Sequence, residues 1–308
     1  MFVLLVSILS WLGTPLEPLR LLRSAVRDHQ VVFLGDIHPL AEPKLLVAHL
    51  IASQQEDRAI DLLALEVASE QQEWIDQYLA SQPEDISVLL DHPRTLREHW
   101  GVSAEYFSIY RAVYRWNREH PGHPIRILAA DLRGWPIAPL TPHMATGGFA
   151  NRDVWMAAAF RKTLQEHPAW RVLIFMGGYH GLKQVGGQVA MGRVHDRFDH
   201  WFAGYLAEDG TVVYTILTDA RQAGAHPATR MFDRLSPDEA GRNFGVVLDS
   251  TTDQVREPLY DVEQEGFRLE FWPSKFALRS AVDAMVILNR TTPISPLQAP
   301  RTRGDQGH

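Results

Sequence analysis

The sequence predicts an α/β fold: a mostly parallel central sheet with helices on both faces and a helical insertion. Two observations predict it. Short apolar runs of strand length alternate with longer segments of helical period, which is the pattern of parallel βαβ units. Four of those runs end in ionisable residues, as expected where an open parallel sheet gathers a ligand site along the carboxyl ends of its strands.

The elements follow in order. Residues 1–13, too short to span a bilayer, are apolar but lack a basic leading region and an Ala-x-Ala site, so they read as a docked helix or leader extension within an N-terminal segment 1–29. A first strand over 31–34 runs into Gly35, Asp36, Ile37 and His38, and a helix over 41–53 has Leu45, Leu46, His49 and Leu50 at helical spacing. The second strand, 62–65, is closed by Glu66; Ser69 is the expected N-cap of the next helix, with Gln72 in the capping-box position. Residues 83–120 read as a helical insertion, rich in aromatics from Trp100 to Tyr114. A third strand, 125–130, ends in Asp131, Leu132 and Arg133, and a Pro/Gly loop, the expected lid, precedes a helix over 152–167. The fourth strand, 171–176, enters Gly177, Gly178, Tyr179, His180 and Gly181. A helix is expected over 194–206, then strands at 211–217, 246–248 and 284–288, all within one domain, 30–290; residues 291–308 read as a flexible tail.

The bulk numbers exclude whole classes. With 308 residues, 45% of them apolar, the chain can bury a sizeable core. A net charge of -7 without Lys/Arg runs leaves nothing to neutralise a phosphate backbone, so nucleic acid is not an expected partner. The absence of cysteine rules out disulfides, thiolate metal sites, a cysteine nucleophile and a lipidated N-terminal cysteine. The expected setting is cytoplasmic, and the expected partner is a small-molecule or peptide substrate. There is no Gly-x-Gly-x-x-Gly after the first strand, no Walker-type Gly-Lys-Ser/Thr, no Gly-x-Ser-x-Gly and no His-Glu-x-x-His, which removes dinucleotide enzymes, P-loop ATPases, common serine hydrolases and zincins.

What remains is a constellation at the strand ends: Asp36 and His38, Glu66, Asp131 with Arg133, and His180 beside Tyr179. Two chemistries suit it. His38, Glu66, Asp131 and His180 form a ligand set for zinc, manganese or cobalt, which would make a nucleophile of bound water. Alternatively His38 or His180, oriented by Asp36 or Glu66, is itself a general base. Either route gives hydrolysis of an ester or amide, with Arg133 or Arg152 binding substrate. Plainer readings stand beside these: His38 as a turn residue, Glu66 as a cap on the following helix, Asp131 as a partner of Arg133, Arg152 and Asp153 as a helix-start charge pair, and the aromatic stretch as core.

Leu34-Gly35-Asp36-Ile37-His38, Ala64-Leu65-Glu66-Val67, Asn151-Arg152-Asp153 with Met156-Ala157, Phe175-Met176-Gly177-Gly178-Tyr179-His180-Gly181 and Val282-Asp283-Ala284-Met285-Val286 together resemble the erythromycin esterase/ChaN-like superfamily, which includes the Tiki metalloproteases. The resemblance implies an α/β fold with its pocket at the strand ends and working residues Asp36, His38, Glu66 and His180. It implies three alternative activities: ester hydrolysis, metal-dependent peptide cleavage, and haem binding, for which the Tyr179 oxygen would be the iron ligand. Asp36 stands where the esterases and ChaN proteins usually have glutamate.

Overall fold

Near-continuous apolar runs cannot sit at a half-wet sheet face, so strands built from them must be covered on both sides. The computed structural model describes residues 16–55, 59–90, 103–133, 148–191, 194–220, 242–249, 256–258, 262–264 and 267–295. Its main sheet contains β1 (Val31–Asp36), β2 (Leu62–Ala68), β3 (Arg126–Asp131), β4 (Val172–Gly177), β7 (Val213–Ala220), β8 (Phe244–Val247) and β13 (Ala284–Leu288), in the order β3-β2-β4-β1-β7-β13-β8. All neighbours run parallel except β8, which is antiparallel to β13. This is the α/β architecture expected from the sequence.

Every residue of β1 and β2 is buried, and alternation sends successive side chains into two cores. Val32 and Leu34 join Leu63, Leu65 and Phe175 on one face; Val31 and Phe33 join Leu62, Ala64 and Ile174 on the other. Each large side chain so buried contributes about 1.5–3 kcal/mol relative to exposure. The first core is roofed by α1 (Pro18–Asp28), α2 (Ala41–Ala52), α3 (Gln72–Ala80), the short α4 (Ser87–Leu90) and α5 (Ala104–Glu119), and the second by α6 (Gly148–Glu166) and α7 (Phe202–Glu208). The aromatics of α5, among them Tyr106, Phe107, Tyr110, Tyr114 and Trp116, are buried in the first core, so the described part of that stretch is core, while Trp100 lies outside the described residues.

Three local expectations are corrected. The helix expected over 194–206 is a strand, β6 (Val194–Phe198), followed by α7. It pairs antiparallel with β5 (Gly186–Met191) in a second sheet completed by β10 (Val262–Gln264) and β11 (Phe267–Trp272), in the order β10-β11-β5-β6. Close approach at Gly186 and Gly187 permits the pairing: a Cβ at Gly186 would lie 2.6 Å from the Phe198 carbonyl oxygen. A two-stranded ribbon of β9 (Arg256–Pro258) with β12 (Lys275–Ala277), and α8 (Leu278–Ala281), complete the described elements. Ser69 is not a cap, because Ser69–Gln71 forms a 3-10 turn and α3 begins at Gln72. The expected tail is tied down at its start, where Ala41 N donates to Thr292 O and Ala104 N to Ser295 O.

The outer edges of the main sheet are occupied. On β3, the Gln72 amide donates to Ile127 O at 2.8 Å and accepts from Ala129 N at 2.9 Å, and the Asn117 amide does the same for Ile125 O and N at 2.9 and 2.7 Å. On β8, Leu16 and Gly245 exchange two backbone hydrogen bonds of 2.7 Å. Among the described residues no helix is long and apolar enough to cross a membrane. Residues 1–13, residues 134–147 of the expected lid and the end of the tail lie outside the described residues, and the lid's last part, from Gly148, belongs to α6.

Candidate active site

Parallel strands deliver their carboxyl ends to one edge, and here that edge collects five acids and bases. Asp36 closes β1 and His38 sits in the turn after it; Glu66 lies near the end of β2; Asp131 closes β3; His180 lies in the 3-10 turn Gly178–Gly181 directly after β4. The first turns of α6 add Arg152 and Asp153, and the first turn of α2 adds Lys44; all three are buried.

Two imidazole–carboxylate pairs result. His38 Nδ1 is 2.9 Å from Asp36 Oδ2, and His180 Nδ1 is 2.6 Å from Asp153 Oδ1. Glu66 stands between them, its Oε2 3.8 Å from His38 Nε2 and its Oε1 3.4 Å from His180 Nε2. The Gly177 N–H donates to Glu66 Oε2 at 2.6 Å. A Cβ on Gly177 would come within 3.0 Å of His38 Nε2 and 3.1 Å of Glu66 Oε2, so glycine is what lets imidazole and carboxylate close over this strand end.

Arg152 fills the centre. Its Nη2 donates to Glu66 Oε1 at 2.5 Å and to Asp131 Oδ2 at 2.6 Å, its Nε to Asp131 Oδ1 at 2.9 Å, and its Nη1 lies 3.1 Å from His180 Nε2. Arg152 is thus neither a helix-start charge pair with Asp153 nor available to hold a substrate: its guanidinium is spent on the protein's own carboxylates, and α6 begins a full turn earlier. The same geometry corrects the metal expectation. A dication among His38, Glu66, Asp131 and His180 would be set against a guanidinium already bonded to Glu66 and Asp131 and 3.1 Å from His180 Nε2. Among the described residues no group of three or more His, Asp or Glu side chains is arranged to hold a metal ion. The donor set does not fit zinc, manganese or cobalt.

Burial and charge divide the protonation states. Burial raises the carboxyl of Asp36, but the Lys44 ammonium and His38 outweigh it and hold the group below the usual range. Burial likewise opposes ionisation of Glu66, yet Arg152 and His180 keep it well below. At Asp131 burial wins over Arg152 and the carboxyl is raised. Burial disfavours charge on His180, but the Asp153 and Glu66 carboxylates push it up to about 9. That shift favours the imidazolium at neutral pH, with Glu66 Oε1 3.4 Å from Nε2 as its counter-charge, while the 3.1 Å approach of Arg152 Nη1 to the same nitrogen opposes it. Burial also lowers Lys44, with Asp36 working against the shift.

Two expected site residues lie elsewhere. Arg133 is exposed and lines a separate groove of about 890 Å³ with Glu70, Glu73, Trp74 and Gln77. The Tyr179 ring packs 5.0 Å from Phe271 and 6.0 Å from Trp201, and burial pushes its phenol up to about 12. A haem iron would require the phenolate, which that burial opposes. Sequence reasoning missed Lys44 and the role of Asp153. A signal existed: Lys44 shares a helical stripe with Val47, Ala48 and Ile51, and Asp153 one with Met156, Ala157 and Phe160. A charge on a core-facing stripe must find a buried partner.

No protein-family model matches the sequence, and no curated protein matches it. Solved structures share the architecture. An erythromycin esterase mutant in its open conformation superposes with a TM-score of 0.59 at 13% identity, over 89% of this chain and 93% of that one. A Bacillus cereus protein gives 0.60 at 11% identity, over 96% and 99%. A succinoglycan biosynthesis protein gives 0.59 at 12% identity, over 95% and 98%. The structural similarity to erythromycin esterase that the motifs implied is present, and at these identities it is a similarity of fold.

Proposed function

We propose that the chain is a hydrolase of ester bonds, lactones included, in which His38 is the general base. The observation that carries this reading is the His38–Asp36 pair, 2.9 Å apart at a strand-end edge with the imidazole side chain 26% exposed while Asp36 is 2% exposed. An ionised Asp36 accepts from Nδ1–H, which leaves Nε2 as the basic nitrogen. Water attacking the ester carbonyl gives its proton to Nε2; the imidazolium returns it to the departing alkoxide, so acid and alcohol leave and the base is restored. Glu66, kept ionised by Arg152 and His180, lies 3.8 Å from Nε2 and favours the positive charge that develops there. His180, at 7% side-chain exposure, is placed to hold Glu66 and not to meet substrate. The fold shared with an esterase supports the choice of bond; Arg152 at the centre supports a route without a metal.

The test compares wild type with His38→Ala on ester, lactone and amide panels. The expected result is ester or lactone turnover that falls by about 10²–10⁴ in the variant while thermal unfolding stays close to wild type. Equal turnover in the two proteins would remove the reading.

A further inference from the structure

We propose that Lys44 is the positioning residue of this site: reaching from α2, it fixes the turn that carries His38 and assigns the two oxygens of Asp36, so that the imidazole always presents Nε2. This rests on the hydrolase reading for its consequence but not for its geometry. Lys44 has no exposed side-chain surface, and its ammonium donates to Asp36 Oδ1 at 2.6 Å, to Ile37 O at 2.9 Å and to His38 O at 2.8 Å. Three acceptors match the three protons of an ammonium. With Oδ1 taken by Lys44, Oδ2 remains for His38 Nδ1, and that bond selects the tautomer. The two carbonyls belong to the residue before the imidazole and to its own residue, so the backbone under the ring is held as well as the ring.

Burying an ammonium is costly unless it is paired and hydrogen-bonded, and a core-facing position on α2 would otherwise hold an apolar side chain. Nothing in packing alone requires a charge there. The groups that face this triad are Glu66 from β2, 3.8 Å from His38 Nε2, and Glu42 of α2 and Glu105 of α5, whose fields act on Lys44; Tyr106 of α5 lies within the field of Asp36.

The full chain is tested as Lys44→Met, Asp36→Asn and the double variant, with two readouts. The first is kcat/KM and its pH profile on the best ester of the panel. Lys44→Met lowers kcat/KM by about 10²-fold, the scale of a misplaced catalytic group, and changes the pH profile, because Asp36 is left without its cation. The double variant, in which both charges are gone and the fold is relieved of an unpaired buried ion, stays within about threefold of Lys44→Met alone, since residues acting as a unit are not additive. The second readout is the ¹⁵N spectrum of His38 with its imidazole neutral, independent of turnover: the Nδ1–H tautomer dominates in wild type and a mixture appears in both single variants. Costs that multiply in the double variant, or a Lys44→Met protein with the wild-type tautomer, overturn the proposal. Should wild type hydrolyse no ester, the hydrolase reading fails while the tautomer measurement still decides the role of Lys44.

Discussion

The two imidazole–carboxylate pairs share Glu66 as a neighbour and differ in everything else. His38 and Asp36 come from one strand and the turn after it, two positions apart, with the ring reaching solvent. His180 and Asp153 come from the turn after β4 and from α6, 27 positions apart, and the pair is buried beside Arg152. The same two functional groups thus serve opposite ends. Where the ring meets water, a carboxylate at Nδ1 makes a base that can gain and lose a proton; where it does not, two carboxylates make a fixed cation that helps to hold Glu66 ionised. On the hydrolase proposal, burial and not residue type separates the pair that reacts from the pair that supports it.

The comparison is most severely tested at Arg152. Arg152→Met removes the guanidinium bonded to both buried carboxylates, Glu66 and Asp131, and urea unfolding is expected to show a loss of about 3–5 kcal/mol; a loss under about 1 kcal/mol would mean that the inner cluster does not depend on its guanidinium. The next effect is one of pH. The folded-state pKa of His180, about 9, lies above its ordinary value of 6.5, so the stability it contributes is fully present below pH 6.5 and is lost as pH rises through about 9. That contribution is at most about 3 kcal/mol, and His180→Asn should flatten the alkaline decline seen in denaturation series across this range. Asp36 and Glu66, with lowered values, act in the reverse sense: their stabilisation is present above the ordinary carboxylate range and is lost on acidification. The smallest effect on stability, and the sharpest on the outer pair alone, belongs to Gly177→Ala. The added methyl meets His38 Nε2 and Glu66 Oε2, costing about 1–3 kcal/mol as overpacking but about 10²-fold in kcat/KM by displacing the base. If activity survives while the His180 pair shifts in NMR spectra, the division of roles is inverted.

The outer pair was legible in the sequence and most of the inner one was not. An apolar strand that stops at Gly35 and gives way to Asp36 and His38 states its own geometry, because strand direction and turn fix where both side chains go. Glu66, Asp131 and His180 were legible for the same reason. Arg152 and Asp153 were not, since an acid near the start of a helix suits its dipole and an adjacent arginine reads as its partner; only the helix beginning at Gly148 turns them inward. Lys44 was hidden in a helix read for its leucines. The second sheet escaped because β5 takes its partner β11 from far along the chain, and no local period encodes a contact of that range.

The side-chain amides of Gln72 and Asn117, laid against the outermost strand, have a colloidal consequence. An open run of strand is an invitation for another copy of the chain to add on and for polymers to grow; here two amides imitate the missing neighbour, and Leu16 does so at the opposite border. At these positions the flanks of the main sheet present backbone groups that are already matched, and a second copy finds no partner for its own.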